Sequence, residues 1–234
     1  IEVCKKHNLK LILDAAHMSG TRVNGVCPGT WDGVDVAVYS FQAVKNLPTG
    51  DSGMICWADE VADKMSRQIA WLGINKDTFA RSNKGTYAWK YDVDYVGYKY
   101  NGNAIMAAIA LVQLKYLDEE NARRRQIVEM YNKGFKSNQR IQIIPANYSD
   151  ECSYHLYELA VPDREALLDY LSQKGINCGV HYRDNTEYSM YSYANGTCPQ
   201  AHDISQHIIT MPLHMWLSDE EVQSIIDGVN EFVK

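Results

Sequence analysis

Apolar residues fall into short, dense runs in the first quarter of the chain and into helical spacing beyond it. Leu9-Lys10-Leu11-Ile12-Leu13 is nearly continuous and ends in Asp14; Val34-Asp35-Val36-Ala37-Val38-Tyr39 ends in Ser40; Gly53-Met54-Ile55-Cys56-Trp57 is a third run. Such runs, separated by helical patterns, predict buried strands of an α/β sheet, because a strand covered on both faces needs apolar side chains on both. Residues 59–72 predict a helix opened by Asp59 and Glu60, whose carboxylates suit the positive end of the helix dipole. Residues 74–102 are rich in Tyr, Asn, Gly, Lys and Asp without periodicity, and so long a loop inside a domain points to function or to an interface. Asn103 to Lys136 predicts one long helix or two in succession, with Ile105, Ile109, Val112, Leu117, Ile127, Met130 and Tyr131 on its apolar side.

A smaller α+β pattern follows. Ile141–Ile144 and Tyr154–Val161 predict strands, and Asp163–Lys174 a helix closed by Gly175, a residue suited to the left-handed cap. Ile176–Tyr182 predicts another strand, and residues 199–209 and 218–233 predict helices. The last is capped by Ser218, with Glu221 three residues on completing a capping box. The expected division lies near 130, giving residues 1–130 as the remainder of a large domain and 131–234 as a small C-terminal α+β domain. Residues 1–8 read as the end of an amphipathic helix with neither initiator Met nor cap, so the chain is expected to begin inside a domain.

Composition narrows the function classes. With 234 residues, 46% of them hydrophobic, the chain can bury one large core or two modest ones. A formal net charge of −6 leaves no general excess of Lys and Arg to neutralise phosphates, which argues against broad nucleic-acid binding. The one basic run, Arg123-Arg124-Arg125, stands beside Asp118, Glu119 and Glu120 and is expected on a solvated helix face. The 6 cysteines include no C-x-x-C pair, so reduced, mostly buried thiols of a cytosolic protein are expected. No apolar run approaches the roughly 18 residues a membrane span requires.

Three residues carry candidate chemistry. Asp14 closes an apolar strand at its carboxyl end, where open α/β sheets bind ligands, although a simple cap for the next turn fits it as well. Ser40 closes the second strand. Lys45 follows the mostly apolar Phe41-Gln42-Ala43-Val44 and precedes Asn46-Leu47-Pro48-Thr49-Gly50, where a partly desolvated amine would have the lowered pKa that Schiff-base chemistry needs; an ordinary surface lysine is the alternative. The segment lacks the Gly-x-x-x-x-Gly-Lys order of a P-loop. His202, His207 and His214 with Cys198 fit no zinc spacing.

Taken together, Leu13-Asp14-Ala15-Ala16-His17 and Ser40-Phe41-Gln42-Ala43-Val44-Lys45-Asn46-Leu47-Pro48-Thr49-Gly50 resemble the DegT/StrS family of nucleotide-sugar aminotransferases, pyridoxal 5′-phosphate (PLP) enzymes of fold type I. Gly97-Tyr98-Lys99-Tyr100 with Asn103 and Ala107-Ala108 is similar to the family's next block. Gly175-Ile176, Gly179-Val180-His181-Tyr182 and Met211-Pro212-Leu213-His214 before Leu217-Ser218-Asp219-Glu220-Glu221 are similar to its last blocks. The resemblance runs in order from 1 to 234. It implies the latter part of a mixed, mainly parallel PLP-binding domain followed by the small domain, N-terminally incomplete.

The resemblance also implies roles. Asp14 matches the carboxylate that keeps the pyridine nitrogen protonated. His17 matches the residue near the ring hydroxyl, and Ser40 the hydroxyl that binds the cofactor phosphate. Lys45 matches the lysine that carries PLP as a Schiff base and then moves the substrate proton; its presence argues against the family's dehydratase branch. His181 and Tyr182 match the sugar-nucleotide side. Two positions depart from the family pattern: Lys99 stands for the Asn that reaches the neighbouring subunit's cofactor phosphate, and Asn101 for an Arg. Gln42 stands where His is frequent. The implied reaction moves an amino group from an amino acid, expected to be L-glutamate, to a keto-sugar nucleotide, in a cytoplasmic homodimer with shared sites serving polysaccharide biosynthesis. Another fold type I enzyme such as a lyase, a pseudoenzyme that binds a sugar nucleotide, and a plain interaction domain remain the alternatives.

Overall fold

The computed structural model describes residues 1–76, 90–144 and 151–234, and the chain divides into two compact units, Ile1–Leu117 and Asp118–Lys234. The first unit begins with α1 (Glu2–His7), ended by Asn8 in the left-handed region at φ 52°. The three apolar runs become β1 (Ile12–Asp14), β2 (Val36–Ser40) and β3 (Gly53–Trp57), in the order β1-β2-β3. β1 pairs parallel to β2, with Asp14 opposite Val38, and β2 pairs antiparallel to β3, with Ser40 opposite Gly53. α2 (Glu60–Ala70) starts where expected: the Asp59 carboxylate accepts from Val61 N and Ala62 N, both at 3.2 Å. α3 (Ala104–Gln113) is capped by Asn103, whose side chain accepts from Met106 N at 3.0 Å.

The expectation of buried strands holds only for β2. Val36 and Ala37 are buried, whereas every residue of β3 is exposed. Helix α3 is apolar around its circumference and yet Ile105 is 75% exposed. The cause is architectural. A three-stranded sheet has two free edges and two faces, and among the described residues the buried cluster of this unit is small: Phe41, Leu47 and Leu117, with Tyr39 and Ala110 against it.

The second unit is built on α4 (Leu117–Phe135). The long helical stretch of the sequence is thus two helices, and the compact division falls where the second begins, upstream of the position near 130 read from the sequence. The reason lies in the core: Ile127, Val128, Tyr131 and Phe135 join Leu159, Leu167, Leu171, Ile209, Val222 and Val229 in one cluster. Strands β4 (Gln142–Ile144), β5 (Glu158–Ala160) and β6 (Ile208–Thr210) form an antiparallel sheet. α5 (Arg164–Gln173), α6 (Pro199–His207) and α7 (Asp219–Phe232) complete it. The buried phenols are satisfied: Tyr131 Oη donates to Pro212 O at 2.8 Å and Tyr157 Oη to Asn132 Oδ1 at 2.9 Å. Gly134 lets α4 and α7 approach closely, since an added Cβ would stand 2.6 Å from Ile226 Cγ2.

The helix expected over 199–209 stops at His207, and Ile208–Thr210 pairs with β5 because the buried, β-branched Ile208 and Ile209 fill a strand position. The strand expected over Ile176–Tyr182 reduces to a single bridge, Gly179 with Thr210. The arginine run is not a solvated face. Arg124 lies on the core stripe of α4 at 5% exposure, and burial pulls its pKa down, while Arg123 pairs with Asp219 at 2.8 Å. The cysteines are all free, but none is fully buried; Cys56 and Cys198 are exposed, Cys56 because it lies on the uncovered β3. No helix among the described residues is long and apolar enough to cross a membrane.

Candidate active site

β1 and β2 run parallel, so Asp14 and Ser40 leave the sheet at the same carboxyl-terminal edge. The ladder continues one residue past Asp14 through Ala15 N to Val38 O at 2.8 Å, which fixes the direction of the chain there. Asp14 is exposed. Its Oδ1 accepts from Ala16 N at 3.0 Å, the local turn that the simpler reading of this residue requires, and its other oxygen has no protein partner among the described residues. Met18 N closes the following turn on Ala15 O at 2.9 Å, with the half-buried His17 inside it.

Lys45 stands on a pinned loop. Phe41 N bonds Ser52 O at 2.8 Å, Ala43 N bonds Gly50 O at 2.8 Å, and Thr49 N bonds Phe41 O at 2.9 Å. Gly50 adopts φ 100°, a left-handed conformation that suits glycine. Phe41 and Leu47 anchor the loop in the small core. The backbone of Lys45 donates to Gln42 O at 2.9 Å, while its half-buried side chain has no hydrogen bond or ion pair among the described residues. The backbone is therefore held and the amine is uncommitted. Ser40 is half-buried and accepts a long bond from Gln42 N at 3.4 Å, and Gln42 itself accepts from Val44 N at 3.3 Å. A carboxylate, a hydroxyl and a primary amine, all near the ends of two adjacent parallel strands, suit in kind the pyridinium, phosphate and aldehyde of PLP.

Lys99 is spent locally. Its Nζ lies 3.5 Å from the centroid of the Trp71 ring and donates to Asn101 Oδ1 at 2.7 Å. The aromatic segment 74–102 lies in part outside the described residues; its described end, 90–102, forms no helix or regular strand. An apolar cleft of about 890 Å³ in the first unit is lined by Tyr39, Phe41, Leu47, Met54, Met106 and Leu114 among others, but not by Asp14, Ser40 or Lys45.

In the second unit, His181 Nδ1 bonds Thr210 Oγ1 at 2.8 Å, and the Tyr182 ring stands edge-on to His181 with centroids 4.9 Å apart. Beyond them lies a polar knot that the sequence reading missed. The buried Asp184 accepts from Thr186 N at 2.9 Å and Thr186 Oγ1 at 2.8 Å, and these bonds, with His202 nearby, hold its carboxyl below the usual range. Asp184 N in turn donates to Ser205 Oγ at 2.8 Å. The signal was present in Asp184-Asn185-Thr186, an acid placed to cap the turn two residues on. Among the described residues no group of three or more His, Cys, Asp and Glu is placed to hold a metal.

The mixed sheet of the first unit and the antiparallel α+β unit match part of the fold of solved PLP-dependent aminotransferases. The chain belongs to the DegT/DnrJ/EryC1/StrS aminotransferase family, whose match covers residues 1–230. Similar solved structures include the aminotransferase TlmJ from Streptoalloteichus hindustanus, at 29% identity and a TM-score of 0.85 over 98% of this chain and 60% of that one. A Streptococcus pneumoniae protein solved in its PMP form is 32% identical, with a TM-score of 0.83 over 99% of this chain and 62% of its own; the same protein is also known in its PLP form. Helicobacter pylori PseC, an aminotransferase of pseudoaminic acid biosynthesis, is 25% identical, with a TM-score of 0.86 over 98% of this chain and 61% of its own. The chain thus spans about 60% of the length of these structures.

Proposed function

We propose that this protein acts in PLP-dependent transfer of an amino group from an amino acid, L-glutamate, to a keto-sugar carried on a nucleotide. The observation that carries the reading is Lys45: a pinned backbone and an uncommitted amine, five residues after Ser40, whose strand pairs with the one that ends in Asp14. Bound PLP supplies an electron sink for the bonds of the amino carbon. Asp14 would pair its open carboxylate oxygen with the ring nitrogen and keep it protonated. His17 would serve the ring hydroxyl, and Ser40 would donate to the phosphate. Lys45 would hold the cofactor through its amine and, when free, that amine would serve as the base and acid for the substrate proton. His181 and Tyr182 would contribute to binding the sugar nucleotide. Lys99 would serve a neighbouring subunit's cofactor phosphate in a homodimer only by leaving Trp71 and Asn101. A cytoplasmic place in polysaccharide biosynthesis fits this chemistry.

The test is selective labelling. The chain is incubated with PLP, reduced with borohydride and digested, and modified lysines are located by mass spectrometry. Labelling concentrated on Lys45, and weakened by Asp14→Asn, supports the reading; labelling spread over exposed lysines with Lys45 no better than the rest would refute it.

A further inference from the structure

The second unit carries one side-chain arrangement whose purpose the fold does not explain. Thr210 sits between two partners in register: it pairs with Glu158 on β5 and bridges to Gly179 on its other side. Residues directly opposite in antiparallel pairs project to the same face, so Glu158, Thr210 and Gly179 form one row. Leu159 and Ile209, their chain neighbours, point the other way into the core at 0% exposure. The backbone holds Thr210 tightly: Thr210 N donates to Gly179 O at 2.8 Å, and Gly179 N to Thr210 O at 3.0 Å. Its branched Cβ limits χ1 further.

His181, two residues after Gly179, returns to this row. A Cβ at 179 would stand 2.8 Å from His181 Cε1 and 3.4 Å from Nδ1, so the imidazole occupies the space that the glycine leaves. Gly179 is outside the left-handed region, so clearance is what calls for glycine here. With its ring over Gly179, His181 Nδ1 reaches Thr210 Oγ1 at 2.8 Å.

The direction of that bond follows from burial. Thr210 is 5% exposed, and among the described residues its hydroxyl has no partner other than Nδ1. A hydroxyl that merely accepted from Nδ1–H would bury its own O–H without an acceptor, at a cost of about 1–3 kcal/mol. The O–H therefore donates to Nδ1, and the neutral ring carries its proton on Nε2. An Nε2–H donor has the polarity to meet an acceptor oxygen such as those of a sugar or a diphosphate.

We propose that Thr210 is a positioning residue: its hydroxyl, with the clearance at Gly179, sets the orientation and the Nε2–H tautomer of His181 for a substrate oxygen. The proposal rests on the reading of His181 as a sugar-nucleotide residue.

The test uses the full chain labelled with ¹⁵N-histidine, with the imidazole resonances read above the histidine titration range. The wild type should show the Nε2–H pattern for His181. Thr210→Val, which keeps the shape, should lose it in favour of a tautomer mixture; Thr210→Ser should restore it; Gly179→Ala, which leaves the hydroxyl in place, should disturb it by displacing the ring. Retained amide dispersion shows that each variant is folded. An unchanged His181 pattern in folded Thr210→Val and Gly179→Ala would overturn the positioning role. UDP-N-acetylglucosamine then serves as the probe, expected to shift the His181 signals, with its half-saturating concentration rising about 5-fold in Thr210→Val, the scale of one lost hydrogen bond. No shift in the wild type, with the tautomer result intact, would overturn the substrate-side reading of His181 and leave the bond itself established.

Discussion

The two units of this chain differ in how much of their apolar surface finds cover. The second has a continuous core of aromatic rings and aliphatic side chains, and its large exposed apolar residues lie in the segment 182–193 and at Trp216. The first has a three-residue buried cluster, an uncovered strand and an exposed apolar helix, yet it holds Asp14, Ser40 and Lys45. A site of this kind needs pinned backbones and uncommitted side chains. Hydrogen bonds across a loop supply the first, and a large local core is not required.

That contrast can be broken by substitution, and the largest effect is expected on chemistry alone. Lys45→Ala should abolish the borohydride-fixed PLP adduct at this site, while urea denaturation shifts by no more than about 0.5 kcal/mol, because the side chain bonds nothing among the described residues. Next, Leu159→Ala in the core should cost about 2–5 kcal/mol by the same measurement, through lost transfer energy and a cavity. Ile105→Ala on α3, 75% exposed, should change stability by less than about 0.5 kcal/mol; a loss as large as that of Leu159→Ala would show that α3 is buried in solution. Ser218→Ala removes one half of the capping box, in which Glu221 N donates to Ser218 Oγ at 3.2 Å, and should cost about 1 kcal/mol.

The smallest effect is a pH dependence. Burial raises the Glu158 carboxyl from 4.5 to about 6. The folded state therefore holds this proton more tightly than the unfolded state, and the contribution is complete below 4.5 and lost as pH rises through about 6. Relative to wild type, Glu158→Gln should gain stability between that range and neutrality. A difference that does not vary with pH would place the Glu158 carboxyl in water.

Much of the local structure was legible from the residues. Asp59, Asn103 and Asp163 each cap the helix that follows them, and β3 spans the residues of its apolar run. These signals act over three or four residues, so no distant partner is needed to read them. Strand β6 was not legible, because its three residues, Ile208-Ile209-Thr210, continue a helical pattern and are drawn into a sheet only by β5. Arg124 was misread for a related reason: charge suggested solvent, while helical phase placed it on the core side with Asn121 and Val128.

The sequence by itself determined where elements begin, which strands end in Asp14 and Ser40, and how far Lys45 follows, since capping, turn chemistry and apolar period operate along the chain. Only the tertiary structure decided which apolar faces find cover, that Lys99 is held over Trp71, and that His181 meets Thr210 from 29 residues away. Those outcomes depend on strand register and on the competition among faces for a limited core, and neither is expressed in any short stretch of residues.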